Sequence, residues 1–271
     1  RLLAQTRSHA GGAGCGVVGM IAEIFPCLQC RQNPVGLAQW QCGLWRPCAT
    51  MTVPDICIMH SISSLQPRLI LASTSVYRRE LLSRLRLPFD CVAPQVDETR
   101  LPDEPPAAMA RRLALAKARA VAQEHPVAVV IGSDQVADLH GQPLGKPHSH
   151  ARAREQLRLQ RGQIVLFHTA VAVVRQDTGF EKTEMATIRT RFRNANDGMS
   201  DAAIEAYLCI EKPYDCAGSI KSEGLGIALM ASIDNDDPTA LIGLPLMRTC
   251  GLLRAAGVTL LSAPDEPQET S

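Results

Sequence analysis

Aromatic side chains are scarce: five Phe, three Tyr and two Trp make up 4% of the chain. They are not interleaved with basic residues, which excludes the stacking platform used by single-strand nucleic-acid binders. An excess of one charge is missing too. The 28 Lys and Arg against 27 Asp and Glu leave a formal net charge of +1. Bulk charge therefore directs the protein to neither nucleic acid nor membrane, and any charge-driven binding has to come from a local cluster. No apolar run is long enough to span a bilayer; Val17 to Phe25 is short and carries Glu23. No clear signal peptide with a small-residue cleavage site is expected from the first residues of the sequence. A Walker loop, a His-Glu-x-x-His helix and a nucleophile elbow are absent, which argues against a P-loop NTPase and a covalent hydrolase.

Cysteine is present but unevenly spread. Cys15, Cys27, Cys30, Cys42, Cys48 and Cys57 lie in the first sixty residues, and only Cys91, Cys209, Cys216 and Cys250 follow. Those four have no ligand-like spacing and read as ordinary small residues of a cytoplasmic protein with reduced thiols. In the first region Cys27-Leu28-Gln29-Cys30, with Cys42 and Cys48, offers a loose zinc pattern. Gly14-Cys15-Gly16-Val17-Val18-Gly19 spells a dinucleotide fingerprint, but without the preceding strand or the later acid that would give it meaning. Residues 1–66 lack sustained periodicity and are expected to be a disordered or non-native leader, with Met51 or Met59 as a candidate start.

From Pro67 the pattern changes to alternating elements. Strands are expected at Arg68–Ala72, Phe89–Ala93, Val127–Ile131, Ile164–Val174 and about Glu184–Phe192. A helix follows Ser73-Thr74-Ser75 and uses Leu81, Leu82 and Leu85 as its apolar side. Pro105-Pro106 opens an Ala-rich helix through about Gln123. Further helices are read at His150–Leu159, from Ser200 to Leu208, and at Pro245–Ala256 before Gly257. Together these give one α/β domain over 67–260, a twisted mixed sheet flanked by helices with an active-site cleft at strand ends. Residues 261–271 read as a frayed tail.

Polar groups collect at the junctions. Val129-Val130-Ile131-Gly132-Ser133-Asp134 reads as a buried strand ending in a small-residue turn, which puts Asp134 where an acid can bind a metal or activate water. A turn or helix cap explains the same residue more plainly. Ser73, Ser75, Arg78 and Arg79 form either a phosphate cradle at a helix start or a capped helix with a basic face. Asp97-Glu98 is a paired acid able to share a divalent metal with Asp134. Lys117 sits in the Ala-rich helix. Lys146 is held between Gly145 and Pro147, well placed to meet an anion. The stretch Gly218-Ser219-Ile220-Lys221-Ser222-Glu223-Gly224 combines glycines for close approach with a Lys and a Glu, or is merely a Gly-rich turn. Bases for phosphates, acids for a metal and an acid for a base edge point to a nucleoside triphosphate rather than a nucleic acid.

These residues resemble the Maf-like nucleotide pyrophosphatases. Leu69-Ile70-Leu71-Ala72-Ser73-Thr74-Ser75 with Arg78-Arg79, then Val96-Asp97-Glu98-Thr99, Lys117-Ala118, Ile131-Gly132-Ser133-Asp134-Gln135-Val136, Gly145-Lys146-Pro147 and Lys221-Ser222-Glu223-Gly224 recur in the family's order. The resemblance runs from about Arg68 to Gly257. It implies hydrolysis of a nucleoside triphosphate to the monophosphate and pyrophosphate with a divalent cation, Mg²⁺ or Mn²⁺. It implies Asp134 as the catalytic proton acceptor and metal ligand, Glu98 as a second metal ligand, and Ser73, Arg78, Lys117, Lys146 and Lys221 on the phosphates. A homodimer in the cytoplasm, with no nucleic-acid or membrane partner, is implied as well.

The resemblance also bears on the substrate. The branch acting on dTTP and UTP typically has Arg, Thr and Gln where this chain has Tyr77, Gln135 and Glu223. An aromatic residue, Gln and Glu resemble the branch acting on 7-methyl-GTP, although Trp is more usual than Tyr77, Pro than Val76 and Phe than Ile220. N7-methylation makes guanine cationic, and an aromatic face attracts a cation. The alternatives are a dTTP/UTP pyrophosphatase and a non-catalytic regulator of septum formation.

Overall fold

The computed structural model describes residues 66–261. The cysteine pattern and glycine string of the first sixty residues, the leader, the candidate start positions and residues 262–271 lie outside the described residues.

A seven-stranded mixed sheet runs in the order β2 (Asp90–Val92), β1 (Leu69–Ala72), β3 (Val129–Leu139), β5 (Ile164–Arg175), β6 (Phe180–Phe192) and β7 (Met230–Asp234), with β4 (Gln142–Leu144) paired to β3 off this path. β1, β2 and β3 pair in parallel. β5, β6 and β7 continue the sheet antiparallel from β3. β1 is apolar throughout and buried at every position, as a strand covered on both faces must be.

Five α-helices cover the described sheet. α2 (Pro106–Glu124) lays Ala110, Ala114, Ala118 and Val121 on Ile70, Val130, Ala170 and Ala172. α1 (Val76–Ser83) and α5 (Leu246–Ala255) pack Leu81, Leu82, Leu252 and Leu253 on the opposite face against Leu71, Ile131 and Val173. α3 (His150–Gln160) and α4 (Asp201–Glu211) close a third cluster around Phe167, Ile188 and Phe192. Ser75, Ser149 and Ser200 cap three of these helices by accepting a backbone N–H.

Three expectations need correction. β3 does not end at Ile131: it runs through Gly132, Ser133 and Asp134 to Leu139. Continuous pairing with β5, from Val130 opposite Val174 to Asp138 opposite Leu166, overrides the weak strand preference of those residues. β6 starts at Phe180 rather than near Glu184, because Glu181 and Lys182 pair with Val174 and Val173 while facing solvent. The short β4 (Gln142–Leu144) and the edge strand β7 carry no alternating pattern long enough to be read in advance.

Candidate active site

The pairing pattern of β3 creates the cleft. β1 follows β3 only as far as Ala72 opposite Gly132, and β4 takes up the same edge at Ala137. Between them the edge of β3 at Ser133–Val136 has no strand beside it among the described residues. Side chains alternate there: Asp134 and Val136 point to the α2 side, and Ser133 and Gln135 to the other. A cleft of about 600 Å³ opens at this gap and is reached by Asp134, Gln135 and Val136. Asp134 thus lies beyond the carboxyl end of β1, although within β3 itself.

One end of the cleft gathers cations. Lys117, 4% exposed, is presented by α2 and reaches two carboxylates: Asp134 Oδ1 at 2.7 Å and Glu98 Oε1 at 2.8 Å. Asp134 Oδ2 has no protein partner among the described residues. Burial pushes the Glu98 carboxyl up, but Lys117, with Lys146 and Arg78 beyond it, outweighs this and holds it below its ordinary range. Arg78 donates from Nε to the Gly243 carbonyl at 2.9 Å, which fixes the guanidinium on the cleft wall. Burial pulls its pKa down, opposed by Asp134 and Glu98. Ser73 Oγ accepts the Ser75 N–H at 3.1 Å, at the N-terminus of α1, where the helix dipole favours an anion. Lys146 lines the same cleft.

The other end is acidic and aromatic. Tyr77, Asp215, Cys216 and Glu223 line it. Burial raises the Tyr77 hydroxyl, helped by Cys216 and the charges of Asp215 and Glu223. Burial and Asp215 push the Cys216 thiol up to about 12, so it stays an unreactive thiol. Burial also raises the Glu223 carboxyl. Gln135 Nε2 donates to Thr169 Oγ1 at 2.9 Å and to the carbonyls of Leu241 and Ala240 at 2.9 and 3.1 Å. Two carbonyls can only accept, so the network fixes the amide orientation and leaves the oxygen of Gln135 for a ligand. Lys221 is not on the cleft wall. Its Nζ pairs with Glu211 Oε2 at 3.1 Å and lies 5.9 Å from the Tyr77 ring centroid, beside the acidic end rather than the cationic one.

Several supporting residues escaped the sequence reading. Glu211, at the end of α4, accepts the Leu225 N–H at 2.7 Å as well as Lys221. A Cβ on Gly224 would come 2.3 Å from Glu211 Oε1, so this glycine is what lets the carboxylate reach the loop. Tyr207 holds the other side, accepting the Lys221 N–H at 2.9 Å and donating to the Ser219 carbonyl at 3.2 Å. Asp237, fully buried, accepts from Thr239 Oγ1 and the Arg248 N–H. It thereby fixes the loop whose carbonyls receive Gln135 and Arg78. The turn chemistry of Asn235-Asp236-Asp237-Pro238 was the one available signal for it.

Among the described residues no group of three or more His, Cys, Asp or Glu gathers as a metal site. Asp134 and Glu98 nevertheless converge on one ammonium nitrogen. Two such carboxylates suit a hard divalent cation that takes its remaining ligands from phosphate and water.

Residues 68–256 match the profile of the family described as Maf-like protein. A protein of Polaromonas sp. named 7-methyl-GTP pyrophosphatase is 66% identical over 194 residues, covering 72% of this chain and 87% of its own length. One of the same name from Albidiferax ferrireducens is 60% identical over 199 residues, covering 73% and 98%. Another, from Bordetella avium, is 56% identical over 200 residues, covering 73% and 98%.

Proposed function

The chain belongs to the Maf-like protein family, and from that premise we propose that it is a nucleotide pyrophosphatase that converts 7-methyl-GTP to 7-methyl-GMP and pyrophosphate. The observation that carries the reading is a cleft with opposite ends: Arg78, Lys117 and Lys146 around Asp134 and Glu98 at one, Tyr77 with Glu223 at the other. The first suits a triphosphate and the second a cationic base. Relatives at 56–66% identity carry that activity in their names.

Water adds across the α–β anhydride, one P–O bond forming as the bridging P–O bond breaks. Asp134 receives the proton of the attacking water at Oδ2, the oxygen left open by its bond to Lys117. Arg78, Lys117 and Lys146 orient the phosphates and offset the charge that grows on the departing pyrophosphate. Asp134 and Glu98 are the residues that would hold Mg²⁺ or Mn²⁺. When bound, the ion supplies further charge neutralisation and lowers the pKa of water. A homodimer and a cytoplasmic setting come with this reading; sedimentation and cell fractionation check them.

Pyrophosphate release across 7-methyl-GTP, GTP, UTP, dTTP and CTP tests the assignment, with 7-methyl-GTP expected to lead. No preference for it would refute the substrate. Glu223→Gln is expected to lower the 7-methyl-GTP to GTP ratio of kcat/KM about fivefold, because a neutral amide no longer answers the positive ring. Glu211→Gln is expected to raise KM for 7-methyl-GTP by up to about tenfold with kcat within about twofold, since it frees the loop that presents Glu223. A fall confined to kcat would remove the loop-holding role.

A further inference from the structure

The acidic end of the cleft holds two carboxylates, Glu223 and Asp215, that form no salt bridge among the described residues. Glu223 receives a long hydrogen bond from Ser222 Oγ, at 3.5 Å. Asp215 receives only the Cys216 thiol, at 3.5 Å. The nearby ammonium of Lys221 is committed to Glu211. Asp215 is also held in place. The Tyr214 carbonyl accepts the His148 N–H at 3.0 Å, the Pro213 carbonyl accepts the Cys216 N–H at 3.3 Å, and the Tyr214 hydroxyl meets His150 Nδ1 at 3.0 Å. This anchored segment carries an exposed carboxylate on the cleft wall beside Tyr77.

Asp215, Glu223 and Glu211 set three carboxylates against the single Lys221 ammonium beside the Tyr77 ring, an excess of negative charge that disfavours a neutral, electron-rich base edge and favours a positive one. The relation to the cationic end gives the cleft a charge gradient that matches a ligand negative at the phosphates and positive at the base.

We infer that Asp215 is a further specificity-determining residue: with Glu223 it forms a paired counter-charge across Tyr77, so that the cleft recognises the fixed positive charge of an N7-alkylated purine nucleotide and not only the shape of its methyl group. The inference rests on the 7-methyl-GTP reading and deepens it. The substrate class is then cationic purine nucleoside triphosphates, with the alkyl group as the source of the charge.

The test compares 7-methyl-GTP with 7-methyl-7-deaza-GTP, which keeps the methyl group but is neutral, and with GTP. Wild type, Asp215→Asn and Asp215→Glu are assayed for kcat/KM at neutral pH and at two salt concentrations. Wild type is expected to favour 7-methyl-GTP over the neutral isostere. Asp215→Asn is expected to lower kcat/KM for 7-methyl-GTP about fivefold and to leave the isostere and GTP within about twofold. Asp215→Glu restores most of the preference, and added salt shrinks it in wild type more than in Asp215→Asn. Equal losses on the charged and neutral substrates would show a structural role and overturn the inference. So would an unchanged ratio in Asp215→Asn, with the 7-methyl-GTP assignment left standing. Wild type that hydrolyses GTP as well as 7-methyl-GTP would overturn both readings together.

Discussion

Asp134→Asn is expected to lower kcat for pyrophosphate release at least about a thousandfold while the protein remains folded. The amide keeps the shape of the carboxylate and can still accept one hydrogen bond from Lys117. It cannot take a proton from water, and it is a poor ligand for a divalent cation. Both functions ascribed to Asp134 are therefore lost in one change of charge. The structural consequence is smaller. Lys117 is nearly buried and now keeps only Glu98 as a charged partner, and that side chain is 55% exposed. One weakened charge-assisted hydrogen bond costs about 1–3 kcal/mol. Circular dichroism should show a native fold with a melting point lowered by several degrees. Activity within tenfold of wild type in the folded variant would mean that another group accepts the proton. Glu98 would then be the next to test, as the other carboxylate on Lys117.

Asp134 also shows how sequence and structure divide the work. Its position after a β-branched run points to the carboxyl end of a strand, and the cleft lies beyond the carboxyl end of β1, although Asp134 itself sits within β3. Local preference nevertheless ends the strand at Ile131, because Gly132, Ser133 and Asp134 favour turns on their own. What keeps them extended is β5, about forty residues away in the chain, which pairs with each of them in turn. No local pattern contains that partner. The helices were more legible, because caps and apolar spacing lie within the segment itself: Ser75 and Ser200 mark starts that the structure keeps. In the cleft, residues that carry a charge beside glycine or proline, such as Lys146 and Glu223, could be picked out. Glu211, Asp237 and Tyr207 could not. They act by receiving backbone groups from segments brought close only by folding, and a lone Glu at a helix end looks the same whether it meets solvent or a loop.

Gly132→Ala is expected to destabilise the protein by about 3 kcal/mol or more, although the change adds one methyl group. A Cβ at this position would lie 2.2 Å from the Ala114 carbonyl oxygen, 2.6 Å from the Ala118 nitrogen and 3.0 Å from the Ala118 Cβ. The first two are backbone atoms of α2 and cannot swing aside as the end of a flexible side chain would. The helix has to move outward, away from Ile70, Val130 and Ala172, and every alanine contact on that face loosens. Function should suffer beyond the loss of stability. Lys117 immediately precedes Ala118, so the displacement falls on the ammonium that holds Asp134 and Glu98 together. Denaturant melts combined with kcat measured on the fully folded fraction separate the two effects. Both are expected to fall. Gly251→Ala provides the contrast: nothing lies within 4 Å of its Cβ, it sits inside α5, and alanine there should leave stability unchanged or raise it by up to about 1 kcal/mol. If Gly132→Ala melted like Gly251→Ala, the close approach of α2 to β3 would not be what brings the lysine to the carboxylates. The glycine then returns to the role its sequence context first suggested, a residue that permits a bend.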